Sequence, residues 1–250
     1  MSAEDQPGAL PRTAPAPEVV AEIHHDHRDV SGGWLRPAVF GAMDGLVSNF
    51  ALVAGVSGGG AVPRVVALTG IAGLVAGAFS MGTGEYTSVA SQSEAAQAEI
   101  AVERAEILRA PAAEEAELAG VYRARGLDPH LAREVARQLS VDPETAVRIH
   151  AREELGIDPD DLPSPYVAAG ASFGAFAAGA FVPLLPYLLG AHTLLWPLIL
   201  SMLGLFGSGA AVSRFTRRSG LFSGARQLVL GAVAAGITFV VGSLIGTGIS

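Results

Sequence analysis

The sequence predicts an all-α membrane protein: five transmembrane helices, with a separate α-helical domain inserted between the second and the third. Three observations predict it. Half of the 250 residues are hydrophobic and 16% are charged, and the mean hydropathy of +0.41 is higher than a water-facing globule needs. Uncharged runs recur at about the 20 residues that carry a helix across roughly 30 Å of hydrocarbon. Charge is also segregated: residues 91–164 hold 16 acids and 8 arginines against 8 and 8 elsewhere, so the whole net charge of −8 sits in one insert.

Residues 1–33, rich in Pro and Ala and then "HHDHRD", read as a disordered tail in which His24 to His27 are at best a weak metal collector. The segment 34–90 holds two spans. The first, "PAVFGAMDGLVSNFALVAGV" (Pro37 to Val56), carries one acid, Asp44, and the second covers Val65 to Gly84. Their Gly and Ala content lets helix backbones approach closely where lipid gives no hydrophobic drive between helices. A secretory signal does not fit, because the first apolar run follows a polar stretch and is succeeded by four more. Within 91–164, "SEAAQAEIAVERAEILR" lacks Gly and Pro and continues the second span into water. Three further helices follow: one from Pro111 to Gly126, one over "PHLAREVARQLS", and one over "PETAVRIHAREELG" that stops at Gly156. In 165–250, the uncharged run from Tyr166 to Ser213 is right for two spans, with a break around "PLLPYLLGAH" (Pro183 to His192), and Leu228 to Ile249 is the fifth span.

Orientation follows from arginines in short loops. "RFTRRSGLFSGAR", with Arg214, Arg217, Arg218 and Arg226, is expected on the cytoplasmic side. Counting spans backwards puts the insert and the N-terminus there too, and the C-terminus outside. The chain has no cysteine, which excludes disulfides and thiolate metal sites. No nucleic-acid partner is expected.

A charged carboxylate in a membrane span costs roughly 3 kcal/mol on insertion scales, so Asp44 must face protein or water, or be protonated. Met81 and Glu85, four apart in "SMGTGEY", share a helix face on the second span. A structural reading stands beside each: a solvated interfacial acid for Asp44, core filling for Met81, a helix-end acid for Glu85. Together they suggest a metal, because carboxylates with a thioether suit Fe²⁺, Mn²⁺, Co²⁺ or Zn²⁺ better than Mg²⁺ or Ca²⁺. Carboxylates also bind protons, and a site that loses a proton to take up a cation couples the two flows. In the insert, Glu99, Glu103 and Glu106 are spaced i, i+4, i+7, and Glu114 and Glu117 stand three apart on the next helix. Like charges at this spacing repel, and a cation would relieve them. His150, Glu153 and Glu154 follow on the last helix of the insert. The alternative is a solvated polar face neutralised by Arg104, Arg109, Arg148 and Arg152.

"GAMDGLVSNFALVAGV", "AGAFSMGTGEYTSVASQSE", "EIAVERAEI" and "REELG" resemble, in this order, the vacuolar iron transporter family along nearly the whole chain after residue 30. The resemblance implies a five-span protomer and a homodimer with the path between subunits. It also implies export of cytosolic Fe²⁺, often Mn²⁺ as well, in exchange for protons, and a cytoplasmic metal-binding domain. By the same resemblance Asp44 and Met81 match membrane ligands, and Glu103, Glu106, Glu114, Glu117 and Glu154 match the cytoplasmic site. Glu85 is added as a pore or proton-handling group. Where members of the family carry two methionines before the last glutamate, this chain has His150 and Ala151, which bears on metal preference.

No enzyme activity and no prosthetic group are expected; Fe²⁺ or Mn²⁺ is the cargo. Two other classes compete with the transporter. A membrane-bound ferroxidase would show paired Glu-x-x-His motifs, whereas here His150 precedes Glu153. A metal buffer or sensor would need the acidic insert but not Asp44. The lysine-free, Gly/Ala/Arg-rich composition points to a high-GC bacterium, hence to the plasma membrane.

Overall fold

The computed structural model describes residues 33–216 and 218–249, without the side chains of 214–216 and 247–249. The histidine-bearing tail and Arg217 lie outside the described residues. The described residues form eight helices and no strand: α1 (Leu35–Gly58), α2 (Pro63–Arg109), α3 (Pro111–Ala124), α4 (Pro129–Leu139), α5 (Pro143–Glu153), α6 (Pro165–Leu188), α7 (Leu195–Thr216) and α8 (Gly220–Ile249). Five of them, α1, α2, α6, α7 and α8, are long and apolar enough to cross a membrane.

Proline marks the starts. Each of α2 to α6 has Pro in its first turn, where a missing N–H costs nothing and the fixed φ suits a helix. Side-chain caps add to this in the insert: Asp128 accepts from the His130 N–H at 2.8 Å, and Asp142 from the Thr145 N–H at 2.9 Å. The 47 residues of α2 make a rod of about 70 Å at 1.5 Å per residue, more than twice the hydrocarbon thickness. Its first half is the apolar span and its second half the predicted polar stalk, one unbroken helix.

Two expected boundaries shift. The break between the third and fourth spans falls after Leu188, because α6 runs through Pro183 and Pro186. Buried among α1 and α2, this helix tolerates the two lost N–H donors, as membrane helices do where neighbouring groups can satisfy the freed carbonyls. The fifth span starts at Gly220, so Arg226, expected in the arginine-rich loop, stands on α8.

α1 is the central element, packed against α6, α8, α2 and α7. Small residues make this possible. A Cβ at Gly41 would stand 2.6 Å from the Ser172 carbonyl oxygen, and one at Gly45 or Gly179 would run into backbone of the partner helix. Beside this seam, Phe50 and Leu46 of α1 pack with Leu205 of α7 and Ala235 of α8. The opposite face of α8 carries Val229, Val233, Ile237, Val240 and Leu244 exposed, as a lipid-facing helix requires.

Candidate functional site

The membrane half brings Asp44 and Met81 together. Both line a cavity of about 290 Å³ among α1, α2 and α6, with Ser48, Asn49, Ser80 and Phe176. α1 supplies Asp44 and Ser48 one turn apart, and the Ser48 hydroxyl donates to the Asp44 backbone carbonyl at 2.6 Å. Met81 also packs against Ala78, Phe176 and Ala180, so its thioether fills space as well as facing the cavity. Glu85, half-buried one turn further along α2, is not among the cavity's lining residues. Three larger hollows, about 700 Å³ between α1 and α8, about 540 Å³ around Pro186 and Trp196 and about 390 Å³ between α2 and α6, have no acid, histidine or methionine in their walls.

The insert forms a second cluster. Ile107 of α2 packs against Ala146 and Val147 of α5. Glu103 stands one turn before Ile107, and His150 one turn after Ala146, so the docking of the apolar faces brings these two polar residues together. An ion pair between Arg104 and Glu144 ties the same helices at their surface. His150 is fully buried, and its Nδ1 lies 2.9 Å from Glu103 Oε1 and 2.9 Å from Glu154 Oε1. Despite this approach, Glu103 Oε1 and both ring nitrogens of His150 are buried without an aligned hydrogen bond. One ligand atom from each of the three residues falls within 4.8 Å of the others, an arrangement able to hold a divalent ion with nitrogen and oxygen donors.

Electrostatics matches that geometry. Burial pushes the Glu103 carboxyl above its ordinary range; His150 opposes this, and Glu154, Glu114 and Glu106 add to it. Burial likewise raises Glu154, with His150 opposing and Glu117 and Glu114 adding. The predicted glutamates therefore act on one another, although only Glu103 and Glu154 approach His150 directly. Glu117 is exposed and Glu106 half-buried, the latter 3.6 Å from Arg109. Glu153 turns away: it is ion-paired with Arg125 and accepts from the Tyr122 hydroxyl at 3.4 Å.

Spacing within a helix paired His150 with Glu154, and only the family resemblance grouped Glu103 with Glu154, because local spacing does not encode how α2 docks on α5. Sequence reasoning also passed over Asn49, an amide in an apolar run. A polar residue in a membrane span is the signal that would have found it.

Known proteins can be compared with this chain over most of its length. "Vacuolar iron transporter" of Acanthamoeba castellanii is 38% identical over 228 residues, covering 87% of this chain and 82% of that protein. "Vacuolar iron transporter 1" of Arabidopsis thaliana is 30% identical over 248 residues, covering 98% and 99%, and its namesake in Oryza sativa subsp. japonica is 31% identical over 243. All three are named as transporters and none as an enzyme. A sequence model of the VIT family matches residues 35–243, a stretch that takes in both polar clusters, the whole of α1, α2, α6 and α7 and most of α8, and the chain belongs to that family.

Proposed function

We propose that this protein moves Fe²⁺ or Mn²⁺, or both, out of the cytosol in exchange for protons, capturing the ion on the acidic insert and passing it through the cavity between α1, α2 and α6. The observation that carries this reading is the convergence of Asp44 and Met81, from two helices, on one cavity in the membrane-spanning half. A carboxylate beside a thioether selects transition metals over Mg²⁺ or Ca²⁺, and the names of the relatives supply iron as cargo. A carboxylate that gives up its proton to take the ion supplies the exchange.

Glu103, His150 and Glu154 form the heart of the capture site, with Glu106, Glu114 and Glu117 around it. Glu153 steadies it from outside through Arg125. Glu85 handles protons where the stalk leaves the membrane. One protomer offers few ligands for a divalent ion, and a two-fold axis doubles Asp44, Met81 and Glu85 around one path, so the working unit is a homodimer. It sits in a bacterial plasma membrane with its N-terminus and insert in the cytosol and its C-terminus outside.

The test is flux into proteoliposomes carrying a metal dye and a pH dye. The wild-type protein is expected to move Mn²⁺ and Fe²⁺ one way and protons the other. Asp44→Asn, nearly isosteric but uncharged, is expected to lose flux at every metal concentration while inserting and dimerising normally. Wild-type flux in that variant would overturn the pore assignment, and metal movement without a proton signal would overturn the exchange.

A further inference from the structure

Asn49 is 2% exposed, on α1 beyond the helix midpoint, and is one of the residues lining the Asp44 and Met81 cavity. Its two amide atoms have different fates. Nδ2 donates to the Ala180 carbonyl of α6 at 2.6 Å. Oδ1 is buried with no hydrogen-bond partner among the described residues. The orientation of the amide is fixed, since reversing it would set two oxygens against each other at Ala180. A buried carbonyl oxygen left unpaired is unfavourable, and native structures rarely leave such a group without a use.

Its surroundings supply one. On the facing helix α2, Gly73 presents backbone only: a Cβ there would stand 3.0 Å from Asn49 Oδ1 and would crowd Leu52. Gly73 and Leu52 line the same cavity. Asn49 stands five residues beyond Asp44, about 7.5 Å further along the helix, and so lies on the far side of Asp44 for an ion entering from the N-terminal end. A cation that has shed its water needs oxygen donors there, and a neutral amide oxygen suits Mn²⁺ without holding it as a second carboxylate would.

We infer that the side-chain oxygen of Asn49 is a ligand of the transported cation, receiving it from Asp44 at the inner end of the cavity. This rests on the transport reading above. It divides one side chain between two tasks: the nitrogen anchors α1 to α6, and the oxygen binds the ion.

That division sets the test. Full-length protein is reconstituted in liposomes, and Mn²⁺ flux is measured against Mn²⁺ concentration for Asn49→Leu, which loses both atoms, and Asn49→Asp, which loses the anchoring N–H but keeps the oxygen. Asn49→Leu is expected to raise the KM for Mn²⁺ about tenfold, the equivalent of one good polar contact. Asn49→Asp is expected to return the KM to the wild-type value or below. A packing role predicts the reverse: both variants lose folded protein or maximal flux at unchanged KM, or Asn49→Asp is no better than Asn49→Leu, and either result overturns the inference. If Asn49→Leu does not fold, Asn49→Asp decides alone, a KM at or below wild type supporting the inference and a loss of maximal flux at unchanged KM refuting it. Asp44→Asn in the same assay keeps the two claims apart. Its retained flux would sink the transport path, whereas its loss together with an insensitive Asn49 series would sink only the role given to Asn49.

Discussion

Glu103 and Glu154 carry carboxyls held above their ordinary range, chiefly by burial, and the sign of the consequence can be worked out. A carboxyl whose folded value exceeds its unfolded one binds its proton more tightly when folded. The stability it lends is complete below about pH 4.3 and is lost as pH rises through the raised values. Groups shifted the other way do not mask this. Glu134, lowered to about 2 by hydrogen bonds from Arg137 and Gln138, keeps its contribution above the ordinary range and loses it only in stronger acid. In chelator, thermal unfolding of the full chain is therefore expected to occur at lower temperature as pH rises above the ordinary carboxylate range of about 4.3. Glu103→Gln should flatten that slope, and Mn²⁺ should restore stability at the alkaline end, where the ligands are deprotonated. A melting temperature that climbs with pH in chelator would contradict the placement of these carboxyls. What the sequence made legible at this scale was residue type and local spacing: Asp44 as an acid in lipid, His150 and Glu154 one turn apart. The approach of Glu103 to His150 depends on how Ile107 docks on α5, which spacing within one helix does not encode.

Helices were more legible than contacts, for a physical reason. Their starts are written in local chemistry, Pro at the first turn of α2 to α6 and Asp at the caps of α4 and α5, and their lengths in uncharged runs. The ends that moved were those set by neighbours: α6 continues through Pro183 and Pro186 because other helices surround it, which a rule about isolated helices does not anticipate. The seam between α1 and α6 is likewise visible as small residues, but which glycines touch is decided by packing. Gly45→Val is expected to force these helices apart, because the obstacle is the Phe176 backbone and no flexible side chain can yield. Overpacking of this kind costs about 1–3 kcal/mol or more. Gly174→Ala, on the same α6 but with nothing within 4 Å of its new Cβ, is expected to be neutral or slightly stabilising through helix propensity. Thermal stability in detergent measures both, and equal effects of the two substitutions would mean the seam is not close-packed.

On the scale of the whole molecule, one helix carries both polar clusters. Met81 and Glu103 lie 22 residues apart on α2, about 33 Å along its axis at 1.5 Å per residue, so a single ion cannot touch the two clusters at once and, on the proposed transport, would pass between them. On the proposed reading the insert's net negative charge would act as a supply, raising the local concentration of cations near the path without forming it. Replacing Glu103, Glu106, Glu114 and Glu117 together by Gln is therefore expected to weaken Mn²⁺ binding to the protein and to cut flux severalfold at low Mn²⁺, with flux largely recovering at saturating Mn²⁺. Asp44→Asn should leave Mn²⁺ binding to the insert intact and abolish flux throughout the range. Equilibrium binding and concentration-dependent flux on the same preparations distinguish the two. Gln keeps the size and polarity of Glu and relieves repulsion between the acidic stripes, so a folding defect is not expected from the quadruple variant, and its melting temperature in chelator should be unchanged or higher. If it instead loses flux equally at low and saturating Mn²⁺, the insert controls the opening of the path, and capture and passage are one step rather than two.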